Sequence, residues 1–164
     1  MLKDKGDYTR GDIMRILVFG AIGYVGAHVY QQWAADPQAA VVGTCSKVRR
    51  VRGLLKDVKP DVVIWCAKAR EDHEEEEMHR AGLAAVVQEV GPTARLIFLS
   101  SDRVLPGKCG HYDERTEPQY SVGSMALDRY INAKIDAERR IQTSVSDFCI
   151  VRSVRYHRMI YVDA

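Results

Sequence analysis

Residues 15–26, Arg-Ile-Leu-Val-Phe-Gly-Ala-Ile-Gly-Tyr-Val-Gly, constrain this chain more than any other stretch. The apolar run Ile16 to Phe19 predicts a buried parallel strand, and it leads directly into Gly20-x-x-Gly23-x-x-Gly26. A helix follows, with Val25, Val29 and Trp33 on one face at helical spacing. Strand, glycine turn and helix in that order bring backbone N–H groups and a helix N-terminus to one point, where a pyrophosphate is readily held. Gly20 suits the turn, Gly23 lets backbone approach the phosphates, and Gly26 lets the helix lie close to the sheet. The alternative for three glycines at this spacing, which is GxxGxxG rather than GxGxxG, is a tight helix-packing turn without ligand.

From there strands and helices alternate. Ala39 to Cys45 reads as a second strand, followed by a basic loop, Lys47-Val48-Arg49-Arg50. A short helix over Val51 to Val58 ends at Lys59-Pro60, and Asp61 to Cys66 reads as a third strand. Glu71 to Val90 predicts a long helix with Leu83, Val86, Val87 and Val90 at i, i+3, i+4 and i+7, closed by Gly91-Pro92. Its run Glu74 to Glu77 suits a solvated first turn favoured by the macrodipole. Arg95 to Leu99 is a fourth strand and Phe148 to Arg152 a fifth. Between them, Ser121 to Ser144 carries a helix with Leu127, Ile131 and Ile135 in register.

This rhythm implies βαβ units and an α/β fold: a single-domain, Rossmann-type doubly wound parallel sheet. With right-handed crossovers the expected strand order is 3-2-1-4-5. The 164 residues suit one domain, long enough to bury roughly 70% of the unfolded surface. Residues 1–13 are polar and aperiodic and read as a flexible extension; 14–153 form the dinucleotide-binding domain, and 154–164 a C-terminal tail.

Composition narrows the partners. A net charge of +2 with no long basic block gives no sign of a nucleic-acid partner. No apolar run approaches the ~20 residues of a membrane helix, and no secretory signal opens the chain, so no membrane role and a cytoplasmic location are expected. Cys45, Cys66, Cys109 and Cys149 lie far apart without a CxxC pair, which argues against a zinc site or disulfide framework and for reduced thiols. Cys45, Cys66 and Cys149 each lie within an apolar run, so buried packing is expected of them.

Tyr130-x-x-x-Lys134 falls inside the last long helix, so the two side chains share a face. An ammonium beside a phenol favours the phenolate and brings a pKa of ~10 toward neutrality, which equips Tyr130 to move a proton to or from a carbonyl or alcohol oxygen. Alone, the pair also reads as two surface residues of an amphipathic helix. Strand four, however, ends at Ser100-Ser101, at the carboxyl end of a parallel strand, where open α/β sheets bind ligands.

Glycine turn, strand-end serine and Tyr-x-x-x-Lys in that chain order resemble the extended short-chain dehydrogenase/reductases of the NAD-dependent epimerase/dehydratase superfamily. Residues 100–114, Ser-Ser-Asp-Arg-Val-Leu-Pro-Gly-Lys-Cys-Gly-His-Tyr-Asp-Glu, resemble the Ser-Thr-Asp-Tyr-Val-Phe-x-Gly-x-x-Gly-x-Tyr-x-Glu signature of dTDP-4-dehydrorhamnose reductase-like proteins. Lys59-Pro60-Asp61-Val62-Val63-Ile64 and Val41-Val42-Gly43-Thr44 are similar to that family's third and second strands, and the resemblance runs from about Arg15 to Arg152.

The resemblance implies that Ser101 orients a sugar keto group, Tyr130 donates a proton, and Lys134 binds the nicotinamide ribose and lowers the tyrosine pKa. The implied cofactor set is Gly20, Ile22, Gly23, Tyr24, Val25, Gly26, Lys47, Arg49, Cys66, Ala67 and Lys134, with no metal. After strand two, a carboxylate would suit the ribose of NAD; Ser46, Lys47, Arg49 and Arg50 stand there instead, and cations favour the 2′-phosphate of NADP over NAD.

Three departures qualify the implied activity. Arg103 stands where the family usually has tyrosine, and His79-Arg80-Ala81-Gly82 occupies the place of an asparagine found in many members. The family also continues past the fifth strand into a substrate-binding lobe, for which 154–164 is too short. Two readings therefore stand: an NADP-dependent reductase or epimerase-type oxidoreductase of nucleotide-linked keto-deoxy sugars, or a weakly active or inactive dinucleotide-binding regulatory or scaffolding subunit. In either, a second copy or a different protein is expected over the open face beside Val104, Leu105 and the tail.

Overall fold

The computed structural model describes residues 13–45, 50–67, 78–90, 94–107 and 112–153, and the backbone of 159–163. Strand β1 (Met14–Phe19) runs into the glycine turn and helix α1 (Tyr24–Ala34); β2 (Ala39–Thr44), α2 (Val51–Val58) and β3 (Val62–Trp65) follow. A π-helical turn (Met78–Leu83) continues into α3 (Ala84–Val90), then β4 (Arg95–Ser101), a 3₁₀ turn (Asp102–Val104), α4 (Ala126–Ser144), β5 (Phe148–Ser153) and β6 (Met159–Asp163). The described part of the long helix expected over 71–90 is thus part π and part α; Glu74–Glu77 and the extension 1–12 lie outside the described residues.

The sheet has the order β2-β1-β3-β4-β5-β6, its first five strands parallel. The Rossmann-type reading holds, but the expected order 3-2-1-4-5 does not: β3 pairs with β1, from Ile16 against Val62 to Phe19 against Trp65, and not with β2. Burial explains why. Val63, Ile64 and Trp65 are buried on both faces, as an interior strand with two neighbours requires. In β2 Ala40, Val42 and Gly43 are exposed, as befits an edge strand. Residues 159–163, within the stretch read as a tail, pair antiparallel with β5.

Helices cover both faces. On one, Val29 and Trp33 of α1 pack on Ile16, Val18 and Ile64. On the other, α2, α3 and α4 bury Leu55, Val86 and Ile141 against Leu17, Trp65 and Phe98. Each such apolar side chain contributes about 1.5–3 kcal/mol on burial. Leu83, Val86, Val87 and Val90 are all buried, as their spacing predicts. Val25 and Leu127 are not: each lies in the first turn of its helix, and they are 40% and 44% exposed. Cys149 is buried and Cys66 half-buried, but Cys45 is exposed, one residue past the end of β2. No helix among the described residues is long and apolar enough to cross a membrane.

Candidate functional site

The first half of the site is the glycine turn. Gly20 adopts φ +82°, a backbone conformation open to glycine, and its N–H donates to the Thr44 carbonyl at 2.8 Å. A Cβ here would meet the Ala67 backbone at 2.7–2.8 Å, so the exit of β3 presses directly on the turn. At Gly26 a Cβ would lie 2.7 Å from the Gly20 carbonyl carbon, so this glycine lets α1 approach the turn itself, more than the sheet. Gly23, exposed, caps α1 without a side-chain hydrogen bond, and the first turn of the helix holds no acidic residue. Its N–H groups are thus free of any capping side chain and suit an anionic ligand. Ile22, Tyr24 and Val25 are exposed on the same turn, and Cys66 and Ala67 line its other side. Backbone leaves no room for a side chain at Gly20 or Gly26, whereas the turn is open at Gly23, where an anion such as a pyrophosphate would meet the first N–H groups of α1.

The second half is built by β4 and α4. Lys134 is 4% exposed; its Nζ donates to the Leu99 carbonyl at 3.0 Å and lies 4.8 Å from the Phe98 ring centroid and 5.7 Å from that of Tyr130. The i, i+4 spacing thus brings Tyr130 and Lys134 together and sets the cation against the end of β4. Burial pushes the Cys66 thiol up to about 11, an effect that the positive charge of Lys134 partly offsets. Lys134 therefore also acts on the end of β3, next to the glycine turn. Ser101 is buried and engaged with the turn that follows it, donating to Asp102 Oδ1 and accepting from the Arg103 N–H, both at 3.3 Å. Arg103 itself is exposed. His79, turned inward by the π-helical segment, lies between Trp65 and Phe98, its ring 6.4 Å and 5.7 Å from theirs.

The segment ahead of α4 is held by the helix residue by residue. Asn132 brackets Ser121, accepting from its N–H at 2.8 Å and donating to its carbonyl at 3.0 Å. Asp128 accepts from the Met125 N–H at 2.8 Å and from the Ser121 hydroxyl, and these bonds hold its carboxyl below the ordinary value. Tyr120 donates to Asp136 and accepts from Arg139. These anchors set the helix start at Ala126, within the stretch Ser121 to Ser144 expected to carry it and one residue before the first of its apolar positions, Leu127. The segment leaves Val122 and Met125 exposed, whereas Val104 and Leu105, expected on an open face, are buried against Ile135.

Sequence reasoning placed Ser100 at the strand end but missed its link to Glu138 and Arg152, with which it forms a buried network behind Ser101. The available signal was the position of Glu138 four residues beyond Lys134, on the face that already carries Tyr130. It also missed Gly123, where a Cβ would lie 2.6 Å from the Asp128 carboxyl carbon; nothing local marks that position. Lys47 and Arg49 lie outside the described residues, and Arg50 is exposed at the start of α2.

Among known proteins, the model of the RmlD substrate binding domain family matches residues 14–156. Methionine adenosyltransferase 2 subunit beta of Xenopus laevis is 28% identical over 158 residues, 84% of this chain and 46% of that protein. The fold is similar to dTDP-4-dehydrorhamnose reductase from Bacillus anthracis str. Ames in complex with NADP: TM-score 0.69, 20% identity, 88% of this chain and 54% of that one. It is similar also to the Bordetella bronchiseptica enzyme WbmH in complex with NAD+: TM-score 0.66, 16% identity, 85% and 56% covered. The chain spans about half the length of these relatives.

Proposed function

We propose, starting from a chain that belongs to the RmlD substrate binding domain family, that the cleft from the glycine turn to Lys134 holds a nicotinamide dinucleotide, NADP in preference to NAD. We propose further that it serves reduction, or epimerase-type oxidoreduction, of a nucleotide-linked keto-deoxy sugar. The observation that carries this is Lys134: a cation sunk to 4% exposure at the carboxyl ends of β3 and β4, beside a tyrosine one helical turn away. A buried lysine within a helical turn of a tyrosine, at the carboxyl ends of parallel strands where open α/β sheets bind ligands, is a placement that points to a functional role.

In this reading Gly20, Gly23, Gly26 and the first N–H groups of α1 hold the pyrophosphate, Ile22, Tyr24 and Val25 flank it, and Cys66 and Ala67 border the path toward Lys134. Lys47 and Arg49 would pair with a 2′-phosphate. A nicotinamide bound at the Lys134 end would supply the hydride. Lys134 holds the ribose and favours loss of the Tyr130 proton, Tyr130 delivers that proton to the substrate oxygen, and the Ser101 hydroxyl orients the keto group. Association with a second copy or another protein, and a cytoplasmic location, belong to the same reading.

One observation favours a second reading. The amphibian relative is by name a subunit of another enzyme, which suits a dinucleotide-binding regulatory or scaffolding role. Calorimetric titration with NADPH and NADH tests the shared part: NADPH is expected to bind more tightly, equal affinities would remove the phosphate role of the basic loop, and no binding would refute the proposal. NADPH oxidation on a dTDP-4-keto-6-deoxyhexose then separates the two, since binding without turnover favours the subunit.

A further inference from the structure

A set of buried charges lies behind the site and takes no part in the chemistry above. Arg152 and Glu138 have side chains 2% and 0% exposed. Arg152 donates to Glu138 Oε2 from Nη2 at 2.8 Å and from Nε at 3.2 Å, and its Nη1 donates to the Thr116 carbonyl at 2.9 Å. Glu138 Oε1 accepts the Ser100 hydroxyl. Ser100 and Arg152 are cross-strand neighbours on β4 and β5. One carboxylate therefore ties α4 to the ends of two strands and, through the arginine, to the segment ahead of the helix.

Stability alone does not account for such a network, because well-packed apolar residues often match or exceed a buried ion pair. Its location says more. Ser100 stands between Leu99, whose carbonyl receives Lys134 Nζ, and Ser101, whose hydroxyl faces the turn at the strand end. Glu138 lies one turn beyond Lys134 and two beyond Tyr130 on α4. Holding the Ser100 side chain thus sets the two residues on either side of it against the helix that carries Tyr130 and Lys134.

We propose that Glu138 is a positioning residue for the nicotinamide end of the cleft, acting through Ser100 and Arg152 to set Leu99–Ser101 against Lys134. This rests on the dinucleotide reading given above. Ser100→Ala detaches the carboxylate from β4 and leaves the ion pair intact. The double variant E138L/R152M removes both charges together, so neither is left buried alone.

Both variants are titrated with NADPH and with 2′-phospho-ADP, which carries the adenosine and pyrophosphate but neither the nicotinamide nor the ribose that Lys134 would hold, while melting by circular dichroism reports folding. The expected result is affinity for 2′-phospho-ADP within about twofold of wild type and NADPH affinity lower by about tenfold, the equivalent of one or two hydrogen bonds. Unchanged NADPH affinity in folded variants, or an equal loss for both ligands, would overturn the positioning role and leave the dinucleotide reading standing. If neither variant folds, the network serves folding and the proposal falls. A wild-type protein that binds neither ligand would overturn the dinucleotide reading, and this inference with it.

Discussion

Gly26→Ala probes whether the turn is as tightly built as its geometry indicates. The added methyl would sit 2.7 Å from the Gly20 carbonyl carbon and 3.2 Å from Ala21 Cα, and the atoms in its way are backbone. To reach ordinary separations of about 3.5 Å, α1 must withdraw from the turn by roughly 1 Å. With the Gly20 carbonyl oxygen nearest of all and only backbone there to yield, the overpacking cost falls in the upper part of its usual range, about 2–3 kcal/mol, and the better helix propensity of alanine returns about 1 kcal/mol. The net loss is about 1–2 kcal/mol, which for a chain of this size lowers the melting temperature by about 2–8 °C. Gly53→Ala, in α2 with nothing within 4 Å of its Cβ, is the control. Without the clash the propensity term acts alone, and the melting temperature should rise by about 1–4 °C. Thermal unfolding followed by circular dichroism reads both variants, and NADPH titration reads the cradle. A Gly26→Ala variant that melts at or above wild type, or binds NADPH unchanged, would refute the reasoning.

Other outcomes follow from the same geometry. Gly23 is exposed with an extended ψ of 164°, and its nearest Cβ contact is 3.3 Å, so Gly23→Val should melt within a few degrees of wild type yet lose dinucleotide binding in calorimetry. Tyr130→Phe should keep NADPH affinity and lower any reductase turnover by about 10²-fold or more, as a stopped assay of sugar reduction would show. The Cys66 thiol, pushed from 9.0 to about 11 by burial, keeps its proton in the folded state after the unfolded chain has released it. That contribution to stability is fully present below pH 9 and is lost as the pH rises toward 11. Cys66→Ala should therefore flatten the fall of melting temperature over this range, and an unchanged slope would sink the assignment.

The amino-acid sequence by itself determined what depends on near neighbours. The apolar runs and their period set β1, α2 and the buried face Leu83–Val90, with α2 spanning the residues expected of it. Gly20 at positive φ and Tyr130 beside Lys134 were legible because a turn conformation and an i, i+4 spacing are local facts. The tertiary structure decided what depends on contacts between distant segments. Strand neighbours are chosen by burial of both faces of β3, so β3 lies beside β1, and β6 adds itself to β5 by pairing that no period announces. The first turns of α1 and α4 carry Val25 and Leu127 outward, a consequence of where each helix meets the sheet. Glu138 and Arg152 look in sequence like solvated charges. They are sunk in the interior because each supplies the partner that makes burial of the other tolerable, and those partners are 14 residues apart on different elements.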